Sequence, residues 1–214
     1  KMKQSVFSNT TKKNKTMRKT TIKIFTTIAI FTIVLFSSCK KESKKIGEKP
    51  IESFIASKME FSTYGIDDDT RTMAIVFKSS KAGKITHLGA KLEPGTYNVA
   101  LLDSSTQAVL RTATVTVADT SNYAYTDIDD VSIAANKVYY VTINNATTSN
   151  SANKKFFTYA LINDLEFPFT DGIFTYLEPE FLLSTTSATD IFSDEAYIQS
   201  NGITGVPSFI FVGN

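Results

Sequence analysis

The sequence predicts an all-β fold, an antiparallel β-sandwich of the jelly-roll or immunoglobulin-like kind, on three observations. From residue 59 onward, apolar and polar residues alternate over short stretches, which is the period of a half-buried strand. These stretches recur at intervals of roughly ten residues, with polar turns between them. No convincing helical spacing precedes Asn163. Short strands at this spacing favour two packed antiparallel sheets.

The first 38 residues predict an upstream extension followed by an export signal. Six Lys and Arg side chains between positions 12 and 23 form a positive segment, and residues 24–36 are an uninterrupted run of apolar residues and Thr. This run of 13 residues is shorter than the roughly 20 that a transmembrane helix needs. We therefore expect export of the chain rather than a lasting membrane span.

Cys39, the one cysteine, directly follows Ser37 and Ser38. An exported protein with a single thiol is unusual, because oxidising compartments favour paired cysteines. The letters "SSCK" resemble the lipobox of bacterial lipoproteins, those of Bacteroidetes in particular, although Phe36 departs from the pattern three places before the cysteine. The resemblance implies a diacylated Cys39 and a body anchored to the outer membrane, periplasmic or surface-facing. The alternative is an ordinary secretory signal that leaves a free thiol.

Residues 39–58 are predicted to form the lipidated cysteine and a solvated tether. The stretch is rich in charge and is interrupted by Gly47 and Pro50, as in linkers that do not pack.

Residues 59–163 are expected to form the sandwich domain. Alternation over "THLGAKL" places Leu88, Ala90 and Leu92 on one strand face, and "RTMAIVFK" does the same for Met73, Ile75 and Phe77. The stretches "GTYNVALLD" and "AVLRTATVTV" meet across a polar turn and predict a hairpin.

Residues 164–214 are predicted either to add strands to the sandwich or to form a small extra lobe. An independent domain of ~50 residues without a disulfide or metal would be marginal in stability. We expect one short helix starting near Asp190 and a closing strand after Pro207.

The order of segments from residue 70 to 145 resembles the DUF4082-type β-sandwich modules of bacterial exported proteins. Tryptophan is absent here, and Ser104 and Ser105 replace the glycine that is usual after the hairpin aspartate. The resemblance implies a jelly-roll-like, carbohydrate-binding-module-like fold without an established activity. The matching residues are Gly95, Tyr97, Val99, Leu101, Asp103, Leu110, Ala135, Tyr139 and Val141.

The charge distribution argues against a nucleic-acid partner. Residues 1–39 hold eight basic side chains and no acidic one, so all 21 acidic residues lie in 40–214, against 15 basic residues. Affinity for phosphate backbones depends on clustered Lys and Arg, which this body lacks.

Two acidic stretches are candidates for a structural calcium site. "GIDDDTR" contains Asp67 and Asp69, and "TDIDD" contains Asp127 and Asp129, both in expected turns. Calcium binds loops rich in carboxylate and carbonyl oxygens, although neither stretch has the EF-hand spacing. Solvated turn acids are the alternative, and no other cofactor is expected.

Tyr97, Tyr139 and Tyr140 are candidates for ligand binding, because sugar faces stack on rigid amphipathic rings. Tyr139 and Tyr140 are adjacent on a strand, so one of them must point away from the core. No catalytic residue is assigned, since His87 is the only histidine and lies on a strand face opposite Leu88.

These patterns predict a membrane-anchored envelope lipoprotein that binds a glycan or an envelope protein without catalysis. The alternative is a structural component of the cell surface, in which a partner's strand completes a sheet edge. A long free edge would favour assembly, and a concave face of tyrosines would favour ligand binding. An enzyme is the third possibility.

Overall fold

The structure is a computed structural model that describes residues 47–67, 69–146, 154–163 and 165–214. The predicted export signal, Cys39 and residues 40–46 of the predicted tether lie outside these residues. The described chain consists of antiparallel sheets and one short helix, which confirms the all-β class. No helix in these ranges is long and apolar enough to cross a membrane.

The regular elements follow one another along the chain as one helix and fourteen strands. The bounds are α1 (Pro50–Lys58), β1 (Met59–Asp67), β2 (Arg71–Ser79), β3 (Gly83–Ala90), β4 (Gly95–Asp103), β5 (Val109–Val117), β6 (Ala124–Ile133), β7 (Val138–Asn144), β8 (Lys154–Leu161), β9 (Phe169–Asp171), β10 (Phe174–Tyr176), β11 (Glu180–Leu183), β12 (Tyr197–Ile198), β13 (Gly202–Thr204) and β14 (Pro207–Gly213).

The strands form three sheets. The central sheet has eight strands in the order β12-β11-β2-β7-β4-β5, with β10 also paired to β2 and β9 paired to β10. The β3 sheet has the order β14-β3-β6, and the β1 sheet has the order β1-β8-β13. The C-terminal strands β10 to β14 are thus distributed over all three sheets.

The main core contains the inward-facing residues of the strands. Leu88, Ala90 and Leu92 are fully buried, as their alternation predicted. The predicted hairpin is also present, with β4 and β5 paired from Gly95 opposite Val117 onward.

The central sheet is buried on its other face as well. Ala74, Ala100 and Leu102 alternate with main-core residues and pack against Ala188 and Ile191 of the C-terminal segment. We name residues 184–192 the cover segment, because they lie over this outer face.

Hydroxyl and amide groups attach the cover segment to the sheet. Asn144 Nδ2 donates to Thr72 Oγ1 at 2.9 Å and to the Thr185 carbonyl at 3.1 Å. Thr72 Oγ1 donates to the Ser187 carbonyl at 2.7 Å, and Thr142 Oγ1 donates to the Ala188 carbonyl. Buried polar groups of this kind need partners, so the segment cannot lift off without leaving them unsatisfied.

Three local expectations are wrong. Residues 50–58 form α1 rather than tether, because Ile51, Phe54 and Ile55 are buried on one helix face. No helix starts near Asp190 in the described chain, where residues 188–191 form a turn and Tyr197–Ile198 form β12. The acidic stretch around Asp127 lies within strand β6 rather than in a turn.

Asp103 organises the tip of the β4–β5 hairpin. Its Oδ1 accepts hydrogen bonds from the Ser105 N–H at 2.9 Å and the Ser105 hydroxyl at 2.7 Å, and its Oδ2 pairs with Lys137. The carboxylate is 8% exposed. The hydrogen bond from Lys137, assisted by those from Ser105, lowers the pKa of Asp103 to about 2.

Replacing Asp103 with Asn should weaken the loss of stability in acid. The carboxylate's lowered pKa contributes about 2 kcal/mol that is fully present above the unfolded-state pKa, near 4, and is lost as the pH falls towards 2. Urea unfolding between pH 6 and pH 2 measures this difference.

Asp129→Asn is the matched control, because that carboxylate also pairs with a cation but is 87% exposed. If the free energy of unfolding fell with pH equally in Asp103→Asn and in the parent chain, the lowered pKa assigned to Asp103 would be contradicted.

Candidate functional sites

Tyr97 and Tyr139 do not form a stacking surface. Both side chains are 3% exposed, because they occupy inward positions on β4 and β7. The Tyr97 hydroxyl donates to the Glu93 carbonyl at 2.8 Å, and Tyr139 Oη accepts from the Ala134 N–H at 2.9 Å. The prediction that these rings bind a ligand is therefore wrong.

Tyr140 points to the opposite face, as the parity of the strand requires, and is covered there. Its ring meets the edge of Phe192 at 5.0 Å, and its hydroxyl donates to Glu180 Oε1 at 2.8 Å. Burial raises the pKa of Glu180, the bond from Tyr140 opposes that rise, and nearby Glu178 adds to it. Tyr140 therefore hydrogen-bonds to the half-buried carboxyl group of Glu180, and its ring is covered by Phe192 rather than available for stacking.

The two acidic stretches predicted to hold calcium belong to different parts of the fold. Asp127 and Asp129 lie in β6, with side chains 84% and 87% exposed, whereas Asp67 ends β1 and exposed Asp69 precedes β2. The Asp67 side chain is outside the described atoms. Within the described part of the chain, no three His, Cys, Asp or Glu residues are grouped to hold a metal ion. Calcium binding stays a prediction.

His87 lies at a β-bulge in β3, next to Thr86. Thr86 Oγ1 and His87 Nδ1 are 2.9 Å apart, and His87 Nε2 is 3.7 Å from Asp127 Oδ1. The Asp127 side chain is 84% exposed and that of His87 is 34% exposed, so this pair lies at the surface of the β3 sheet. The contacts are those of a surface histidine.

Strand β1 forms a free edge within the described chain, where its only strand partner is β8. The Leu161 N–H donates to the Asn201 carbonyl at 2.9 Å, and the Phe157 carbonyl also accepts from the side away from β1. Opposed residues in an antiparallel pair point their backbone groups either towards each other or apart. Tyr64, opposite Phe157, therefore directs its N–H and C=O groups to the open side. The N–H of Met59, at the start of the strand, instead donates to the Ile55 carbonyl at the end of α1.

Phe61 continues the apolar face of the β1 sheet beyond the core. Its ring is 55% exposed and meets Phe157 and Tyr159 edge-on, with centroids 6.2 Å and 5.7 Å away. Those two rings are 7% and 8% exposed. A strand added beside β1 would therefore cover an apolar side chain as well as pair with backbone groups.

A second candidate site is a cavity of about 300 Å³ on the outer face of the β4–β5 hairpin. The cover segment forms its wall, and the hairpin forms its floor. Its lining comprises Asn98, Val99, Thr112, Ala113, Thr114, Ser187, Ala188 and Thr189. None of these side chains is ionisable, and five of them carry a hydroxyl or an amide.

Four planar groups stack across the end of the sheets. Arg71 Cζ lies 4.6 Å from the Phe156 ring centroid and 5.5 Å from that of Phe181. Phe181 stacks on Tyr197 at 5.0 Å and 12° between planes, and Tyr197 and Ile198 are 54% and 63% exposed. These residues come from β2, β8, β11 and β12, so sequence spacing gave no signal that they meet.

Comparison with family models and with curated proteins identifies no relative of this chain. No protein-family model matches the chain, and a search of curated proteins finds no significant match. The resemblance to lipoproteins and to DUF4082-type modules therefore stays a prediction from the residues themselves.

Tyr140→Phe should raise the pKa of Glu180 further. The variant removes the hydroxyl that stabilises the carboxylate and keeps the ring that buries it. Carboxyl ¹³C chemical shifts followed against pH measure the change.

Tyr139→Phe is the control, because Tyr139 lies on the other face of the same strand. An unchanged or lower pKa of Glu180 in Tyr140→Phe would show that the hydroxyl does not act on this carboxylate.

Proposed function

We propose that the protein is a lipid-anchored cell-envelope protein whose β-sandwich binds another envelope protein without catalysis. The free edge of β1 carries this proposal. A nine-residue strand with outward N–H and C=O groups and an exposed Phe61 suits an incoming extended segment.

The backbone of β1 and the side chain of Phe61 would have different roles in binding an added strand. Hydrogen bonds to the backbone of β1 would supply affinity for any extended segment, and a pocket around Phe61 would supply selectivity. A glycan offers no regular ladder of donors and acceptors to match a strand edge. The burial of Tyr97 and Tyr139 also removes the predicted stacking surface, which favours a protein partner at this edge.

Attachment through Cys39 would hold the sandwich close to the bilayer. Gly47 follows Cys39 by eight positions, and a chain of that length spans at most about 28 Å. Because one acyl chain binds membranes only marginally, a diacylated cysteine suits stable attachment. The partner would then be a protein of the same membrane or of the space next to it.

Assembly of the cell surface is the second candidate function, and the same edge favours it. In this alternative, the incoming strand belongs to a second copy of the chain or to another structural subunit. The mass of the bound partner shows whether the incoming strand comes from a second copy of the chain or from another protein.

Cys39→Ala should abolish both labelling of the chain by radioactive palmitate and its sedimentation with membranes. The reason is that the thioether to the lipid cannot form without the sulfur. Fractionation of labelled cells measures both.

Cys39→Ser serves as a second variant that keeps the size of the side chain. Persistent palmitate labelling of either variant, or an unlabelled parent chain, would contradict the anchor.

A photo-crosslinking residue at position 61 should yield a discrete adduct in intact cells, because Phe61 would lie under the added strand. Mass analysis identifies the partner, and an adduct of two chains would favour assembly. Phe61→Lys leaves no crosslinker at position 61, so it is tested by co-purification of the identified partner, and it should lose binding because a charge at an edge opposes strand addition.

Val109 is the matched control position, because it is 50% exposed and lies on β5 of the central sheet. No adduct from position 61, or the same adduct from position 109, would contradict the proposed edge.

A further inference from the structure

We infer that the cavity over the β4–β5 hairpin is a binding site for a neutral sugar, separate from the β1 edge. Its floor belongs to the central sheet, whereas β1 belongs to another sheet. The inference goes beyond the proposed protein contact and does not depend on it.

The lining selects a ligand class by its chemistry. Hydroxyl and amide side chains both donate and accept hydrogen bonds, which matches the hydroxyl groups of a sugar. Thr112, Thr114, Ser187 and Thr189 provide hydroxyls, and Asn98 provides an amide. Anionic ligands are normally held by Arg or Lys, and the lining holds neither.

The size and depth of the cavity fit a small ligand. Its volume of about 300 Å³ lies at the lower end of the range for ligand pockets and holds roughly ten water molecules. Asn98, Thr112 and Thr114 are exposed, so the cavity opens to solvent. One or two sugar rings at the end of a glycan could enter it.

The wall of the cavity is held in place before any ligand binds. Ser187 and Ala188 accept hydrogen bonds at their carbonyls from Thr72 and Thr142 of the central sheet. The hydroxyls of Ser187 and Thr189 are 2.8 Å apart, and the Thr189 N–H donates to Ser187 Oγ at 3.2 Å. A wall fixed in this way loses little conformational entropy on binding.

The floor of the cavity carries hydroxyl and amide groups that form few or no hydrogen bonds within the described chain. Thr114 Oγ1 makes only a long contact of 3.4 Å to Asn98 Oδ1. The Thr112 hydroxyl and Asn98 Nδ2 have no hydrogen-bond partner among the described residues. All three lie on one face of the hairpin, since Asn98 pairs with Thr114 and Ala100 with Thr112.

The test begins with the full chain, purified in detergent, on an array of neutral and acidic glycans. Neutral glycans should be retained, and the best of them is then titrated against variants by calorimetry. Thr112→Val with Thr114→Val should weaken binding about tenfold or more, because two hydrogen bonds are lost without a change of shape. Asn98→Asp should also weaken it, because it places a charge in a neutral lining.

Thr116→Val is the matched control, since Thr116 is exposed on the same face of β5 but outside the lining. Its affinity should equal that of the parent chain, and amide NMR spectra verify that each variant is folded. Retention of acidic glycans alone, retention of none, or equal loss in Thr116→Val would overturn the inference. Phe61→Lys should bind the sugar normally, so failure here is distinguishable from failure at the β1 edge.

Discussion

The centre of the central sheet is apolar on both faces, and this constraint shapes the rest of the molecule. Met73 and Phe77 face the main core, while Ala74 and Leu102 face the other way, and all four are buried. One sheet face can be covered by the β3 sheet, but the second needs a separate layer. The cover segment is that layer, and small residues beneath it let the chain approach closely.

Covering a sheet with irregular chain requires that its backbone carbonyls find partners. Thr72, Thr142 and Asn144 supply them from the sheet itself. The same bonds place Ser187 and Thr189 beside the hairpin, where they form one side of the cavity. The candidate sugar site is thus a consequence of how the outer face is covered. The β1 edge is independent of this layer, because it belongs to another sheet.

Alternation alone predicted the β-sheet class, the β4–β5 hairpin and the inward residues of β3, because these depend on one buried face. It could not predict the cover segment, since Thr72, Thr142 and Asn144 are residues typical of a solvated face. The spacing of Ile51, Phe54 and Ile55 does carry a helical signal, but the charged residues around it favoured a tether. The prediction that Tyr97 and Tyr139 bind a ligand was wrong because both rings are buried. The sequence does not distinguish a buried tyrosine whose hydroxyl has a backbone partner from an exposed one.

The central claim is that the cover segment is an integral layer of the fold, and amide hydrogen exchange tests it most directly. The Thr189 and Asp190 amides donate to Ser187, at its hydroxyl and its carbonyl. They should exchange slowly, in the same opening event as the amides of β2, and should lose that protection in Asn144→Ala. Exchange at the rate of an unprotected loop in the parent chain would contradict the account.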